Sequence, residues 1–203
     1  MNFELTPLEQ DALTEVFNMG IGRAASALNK MVADEVHLNV PEVIIIPHKQ
    51  AADYILSRVD GKVTAIRQQV EGDFSGNALL LFPSRNSLQL VRTLLRDQVP
   101  LSSLTELEQE ALLEVGNVML NACFGTITNL LQLKVKISLP VLEQGEVSDV
   151  VKLSGGDSWA LMLQVHFSLP TQDISGFVSF ILDVISMQHL KQSLQRFVGQ
   201  IGQ

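Results

Sequence analysis

A chain of 203 residues, 46% hydrophobic and 18% charged, carries enough apolar material for a sizeable core and excludes a disordered chain. Fourteen Lys and Arg against 22 Asp and Glu leave a net charge of −8, so the basic footprint that binding to nucleic-acid phosphates requires is missing. The one cysteine, Cys123, excludes an intrachain disulfide and a multi-thiolate metal centre, and fits a reducing cytoplasm.

The first ten residues have neither a basic start nor an apolar stretch, so no signal peptide is expected. A helix then opens with Thr6 as cap, Pro7 at its first position and Glu9 closing a capping box, and its apolar period runs to about Met31. Alternation at Val36, Leu38 and Val40 predicts a strand that Pro41 ends and that Val43 to Ile46 continues. A short helix follows around Gln50 to Leu56. Val63 to Val70 and Ser75 to Phe82 predict a hairpin turning at Glu71-Gly72-Asp73, and a helix covers about 84–97.

The second half repeats this order. Thr105 and Glu108 form another capping box, and a helical period runs to about Leu131. Val135, Ile137 and Leu139 alternate up to Pro140, whereas no clear helix signal marks the region near Val147. Trp159 to Leu169 and Ile174 to Leu182 predict a second hairpin, with a helix over about 184–198. The longest apolar runs in these strands, such as Ala78 to Phe82, fall far short of the roughly 20 residues of a membrane span. A soluble cytoplasmic protein without membrane insertion is therefore expected.

The repeat is also literal. LTPLEQDALTEVFN, starting at Leu5, and LTELEQEALLEVGN, starting at Leu104, are identical at ten of fourteen positions. Asp73-Phe74-Ser75-Gly76 likewise resembles Asp173-Ile174-Ser175-Gly176. The border, Val99-Pro100-Leu101-Ser102-Ser103, is short and lacks linker composition. The expectation is one domain over 1–203, built from two pseudo-symmetric halves of about 1–100 and 101–203. Its class is α/β with α+β layering, helices lying on a largely antiparallel sheet.

On a wheel of about 100° per residue, Asp11, Glu15 and Asn18 share one face of the first long helix. Ala12, Leu13, Val16, Gly20, Ala24, Ala27, Leu28 and Met31 fall on the opposite side. Glu110, Glu114 and Asn117 repeat the stripe opposite Ala111, Leu112, Val115, Met119, Cys123 and Leu130, and Gly22 and Asn121 extend the two stripes. A single such stripe is what any surface helix shows; its spacing to a following proline is more specific.

That pattern, acidic-x3-Glu-x2-Asn-x22-Pro, occurs at Asp11, Glu15, Asn18 and Pro41, and again at Glu110, Glu114, Asn117 and Pro140. It resembles the signature of the CheC/CheX/FliY family of chemotaxis phosphatases. The match is closest to the CheC branch, because CheX-like proteins are usually shorter and FliY-like proteins carry a further flagellar-switch domain. The resemblance implies a pseudo-two-fold CheC-like fold with two long exposed motif helices. It also implies hydrolysis of the aspartyl phosphate of a CheY-type response regulator. Asn18 and Asn117 would then orient water, Glu15 and Glu114 would pair with a regulator lysine, and Asp11 and Glu110 would be accessory docking contacts. Pro41 and Pro140 complete the motif structurally. Glu110 departs from the Asp or Ser usual at that position of the family.

No cofactor is expected on this chain, with magnesium belonging to the regulator, and the deamidase CheD is a candidate partner. The alternative is a non-catalytic binding module, either for a phosphorylated regulator on the same helical faces or for CheD. His37, His48, His166 and His189 stand apart without ligand spacing, so no metal is expected, and Gly20-x-Gly22 lacks the ending of a phosphate loop.

Overall fold

A computed structural model of the chain describes residues 3–32, 36–39, 43–95, 105–152, 158–169 and 172–201. The first half runs through α1 (Pro7–Val32), β1 (His37–Asn39), β2 (Val43–Pro47), a 3-10 turn (His48–Gln50), α2 (Ala51–Leu56), β3 (Lys62–Gly72), β4 (Gly76–Pro83) and α3 (Ser84–Leu95). The second half repeats the order with α4 (Glu106–Leu130), β5 (Val135–Ile137), β6 (Val141–Glu146), α5 (Val147–Val151), β7 (Ser158–Leu169), β8 (Gln172–Asp183) and α6 (Val184–Ile201).

All strand pairs are antiparallel, and the sheet order is β1-β7-β8-β4-β3-β5, with β2 also on β7 and β6 also on β3. The two hairpins meet at β4 and β8, where Leu79 faces Ser179, one hundred residues on. The short strands cross over: β1 and β2 of the first half pair with β7 of the second, and β5 and β6 of the second pair with β3 of the first.

Helices cover both faces. Strand alternation sends Ile66, Val70, Leu80, Leu163, Val165, Phe167, Val178 and Phe180 into one core beneath α1, α3, α4 and α6. Val63, Ala65, Leu79, Leu81, Met162 and Phe177 point the other way, against α2 and α5. The short helix α5 is a correction to the sequence reading. Its Val147, Val150 and Val151 are poor helix formers but are buried against the second core, so tertiary packing overrides local propensity. Val43–Pro47 pairs with β7 in the same direction as β1, and residues 40–42, where the sequence reading joins the two strands, lie outside the described residues.

α1 and α4 pack together, and a Cβ on Gly20 would lie 3.1 Å from the Cys123 Cα, which marks how close the two backbones run. α4 is long and apolar enough by composition to cross a membrane, yet its Leu112, Val115, Met119, Cys123 and Phe124 are buried in the core. Burial pushes the Cys123 thiol up to about 12. Met31, expected on the core side, is 40% exposed because it lies in the last turn of α1.

Both capping boxes form. The Thr6 N–H donates to Glu9 Oε2 at 2.7 Å and the Thr105 N–H to Glu108 Oε2 at 2.7 Å. The Gln195 side chain of α6 donates to Glu9 Oε1 at 2.8 Å, and Arg92 of α3 lies 3.5 Å from Glu108 Oε1. Burial raises the Glu9 pKa, but the bonds from the Thr6 backbone and from Gln195 outweigh it and leave the group below its ordinary value. The Thr105 backbone bond does most to hold Glu108 low, with burial opposing and Arg92 assisting.

Candidate functional site

Each motif stripe lies on the outer face of its helix. Asp11, Glu15 and Asn18 are exposed on α1, and Glu110 and Glu114 are exposed on α4, while Asn117 is half-buried. Three- and four-residue spacing stacks these side chains along one line, which is why the acidic groups lead to the amide. Among the described residues none of the four carboxylates is in an ion pair, so each is available to a cation from elsewhere. The equivalent leucines Leu8 and Leu107 lie one turn before the acids and are 61% and 64% exposed, giving each stripe an apolar start.

The surroundings of the two amides differ. On α4, Asn117 Oδ1 accepts from Asn121 Nδ2 at 2.7 Å and from Gln68 Nε2 at 3.3 Å. Gln68 is a buried residue of β3, and its Nε2 also donates to the Ser138 carbonyl at 3.1 Å. Ser138, Leu139 and Pro140 lie between the β3–β5 and β3–β6 ladders. There three residues face the two residues Gln68 and Gln69, a bulge held by Ser138 Oγ accepting from the Gln69 N–H at 2.9 Å. The motif proline Pro140 therefore sits on the loop whose carbonyl anchors Gln68. Its counterpart Pro41 lies outside the described residues.

On α1, Asn18 makes no side-chain hydrogen bond among the described residues. The position after one further turn is Gly22, where a Cβ would have open space around it. The inward run of β7 offers only apolar groups, Leu161, Leu163, Val165 and Phe167, all buried.

The residue before each amide explains the different distance to the sheet. Gly116 precedes Asn117, and a Cβ there would come within 2.5 Å of the Ile66 side chain of β3, so α4 rests directly on the strand. Phe17 precedes Asn18 and puts a ring between α1 and the sheet, stacked on Phe180 of β8 at 5.4 Å.

Periodicity places Asn121 on the stripe but gives no sign of its bond to Asn117. Gln68 belongs to no motif. The signal for it is a glutamine in the inward series Thr64, Ile66, Gln68, Val70 of a core strand, where a polar side chain needs a partner.

Histidines lie away from the stripes: His48 Nε2 is 2.8 Å from the Val151 carbonyl, His166 Nδ1 is 2.9 Å from Ser175 Oγ, and His189 Nδ1 is 3.0 Å from the Asp73 carbonyl. Among the described residues no group of three His, Cys, Asp or Glu is arranged to hold a metal ion.

Residues 8–45 match the model of the CheC-like family, a segment that contains the whole first motif. The chain is 26% identical over 135 residues to the CheY-P phosphatase CheC of Bacillus subtilis, covering 65% of this chain and 64% of that protein. It is 24% identical over 178 residues to the flagellar motor switch phosphatase FliY of the same organism, covering 84% of this chain and 45% of that protein. The chain thus spans less than two thirds of either relative. In fold it is similar to Thermotoga maritima FliY, with a TM-score of 0.77 and 18% identity over 96% of this chain and all of that one.

Proposed function

Starting from a chain whose family segment, relatives and fold are consistent with the CheC/CheX/FliY proteins, we infer that it hydrolyses the aspartyl phosphate of a CheY-type response regulator. The observation that carries this reading is the pair of exposed acid-acid-amide stripes, each ending on an asparagine with a glutamate one turn earlier. Both relatives named above are phosphatases, and one is named for CheY-P.

An aspartyl phosphate is an activated mixed anhydride. Water oxygen bonds to phosphorus, the bond from phosphorus to the aspartyl oxygen breaks, the aspartate leaves as carboxylate, and the water's proton goes to the phosphate formed. The regulator supplies magnesium and cationic groups to the transferring phosphoryl group, so the phosphatase has only to fix a water in line. An asparagine carboxamide suits that task because it can accept from water and donate to a phosphoryl oxygen without a strong base. Glu15 and Glu114 would pair with a lysine beside the phosphorylated aspartate, offsetting the repulsion between an acidic helix and the phosphate. Asp11 and Glu110 would add docking contacts at the start of each stripe, and CheD is a further candidate partner.

Decay of a phosphorylated CheY-type receiver, followed with and without the protein, tests this reading. Acceleration that Asn18→Ala together with Asn117→Ala abolishes is the expected result. Full acceleration by that double variant overturns the assignment of the two asparagines, and binding without acceleration by the unaltered chain leaves a binding module instead of a phosphatase.

A further inference from the structure

We propose that the two sites are unequal, because Gln68 and Asn121 are positioning residues that turn the Asn117 carbonyl inward, whereas Asn18 keeps its carbonyl free for water. The inference rests on the reading of the two asparagines as water-orienting groups.

The orientation follows from the hydrogen-bond network itself. The Ser138 carbonyl can only accept, so the Gln68 atom 3.1 Å from it is the amide nitrogen. That same nitrogen lies 3.3 Å from the Asn117 side chain, so the atom it meets there is Oδ1. Asn121 Nδ2, at 2.7 Å, takes the second lone pair of that oxygen. Both acceptor positions of the Asn117 carbonyl are then filled, and the group it presents outward is the Nδ2 donor. Gln68 is 1% exposed and its own Oε1 has no partner among the described residues, so this glutamine is engaged only through the nitrogen that holds Asn117.

In-line attack needs the water's lone pair toward phosphorus and at least one of its protons donated away. Asn18 can accept such a proton; Asn117, as held, can only donate, which suits a phosphoryl oxygen. The α4 site therefore captures a phosphorylated receiver and hydrolyses it slowly, while the α1 site carries most of the turnover. The difference is built from three places where the halves diverge. Asn121 stands where α1 has Gly22, Gln68 stands in an inward strand series that is apolar on β7, and Gly116 brings α4 down to β3 where Phe17 props α1 away.

The experiment follows hydrolysis of a CheY-type receiver phosphorylated with acetyl phosphate, separating kcat from KM. Asn18→Ala should lower kcat by about tenfold or more, and Asn117→Ala by about twofold with a raised KM, scales set by loss of a water-positioning group. In the Asn18→Ala background, Asn121→Ala alone or with Gln68→Leu frees the Asn117 carbonyl and should raise kcat several-fold, while KM and thermal midpoint stay near those of the parent. A purely structural role for these two residues would not raise kcat. Equal losses in the two single variants, or no gain from Asn121→Ala and from the combined change, overturn the inference while leaving the phosphatase reading intact. Undiminished activity without both asparagines removes their water-orienting role and this inference with it, whereas no acceleration by the unaltered chain removes the phosphatase reading.

Discussion

The helices α1 and α4 begin with nearly the same fourteen residues, yet they sit on the sheet differently. At one pair of equivalent positions Phe17 fills the space between helix and strand, and Gly116 leaves none. One turn further on, Gly22 faces open space and Asn121 reaches back to Asn117. A repeated motif therefore does not make a repeated site. The motif residues point outward and look alike, while their neighbours toward the sheet decide which atoms of the amide are free.

The comparison can be broken most forcefully at Phe17. Its ring is 2% exposed and stacked on Phe180, so Phe17→Ala should cost about 3–5 kcal/mol, read as a drop in the urea midpoint. At the equivalent position the opposite change is the damaging one. Gly116→Ala puts a methyl against three atoms of the Ile66 side chain and should cost about 1–3 kcal/mol, although alanine is the better helix former. A gain in stability there would show that α4 does not rest on β3.

The capping glutamates offer a pH-dependent contrast. Both have folded pKa values below the ordinary 4.5, so each contributes stability that is present above that pH and is lost as pH falls below it. Glu9→Gln and Glu108→Gln should each cost about 0.5–2 kcal/mol at neutral pH. Either change should also flatten the fall in urea midpoint between neutral pH and the acid range. Glu108→Gln should cost more, since it removes a charge facing Arg92, whereas Glu9 meets the neutral Gln195.

The smallest effect sharpens the comparison from the other side. Gly22→Ala meets nothing within 4 Å and should stabilise by about 0.5–1 kcal/mol, opposite in sign to Gly116→Ala. Cys123, buried at the seam with Gly20 and with its thiol raised to about 12, should resist thiol reagents at pH 8 until the protein unfolds. Reaction at the rate of an exposed thiol would mean that the two motif helices part readily.

Local rules made the long elements legible. Thr6 with Glu9 and Thr105 with Glu108 mark the helix starts, and alternation in Val63 to Val70 and Trp159 to Leu169 marks the hairpins. The stripes were also legible, because period alone places Asp11, Glu15 and Asn18 together. What period cannot supply is the partner. Val147 to Val151 becomes helical only because a second core exists beneath it, and Gln68 gains meaning only when β3, α4 and the Ser138 bulge meet. The crossing of β1 and β2 onto β7 joins segments more than a hundred residues apart, beyond the reach of any local pattern.

That crossing makes each half a template the other must complete. A fragment ending at residue 95 would leave β1 and β2 without β7, β3 without β5 and β6, and β4 without β8, exposing ladder groups along all four strands. The chain thus behaves as a dimer folded into one polypeptide, whose sheet closes only when distant segments have found each other. Both motif helices are laid over that shared sheet, so neither face can be assembled while the other is missing.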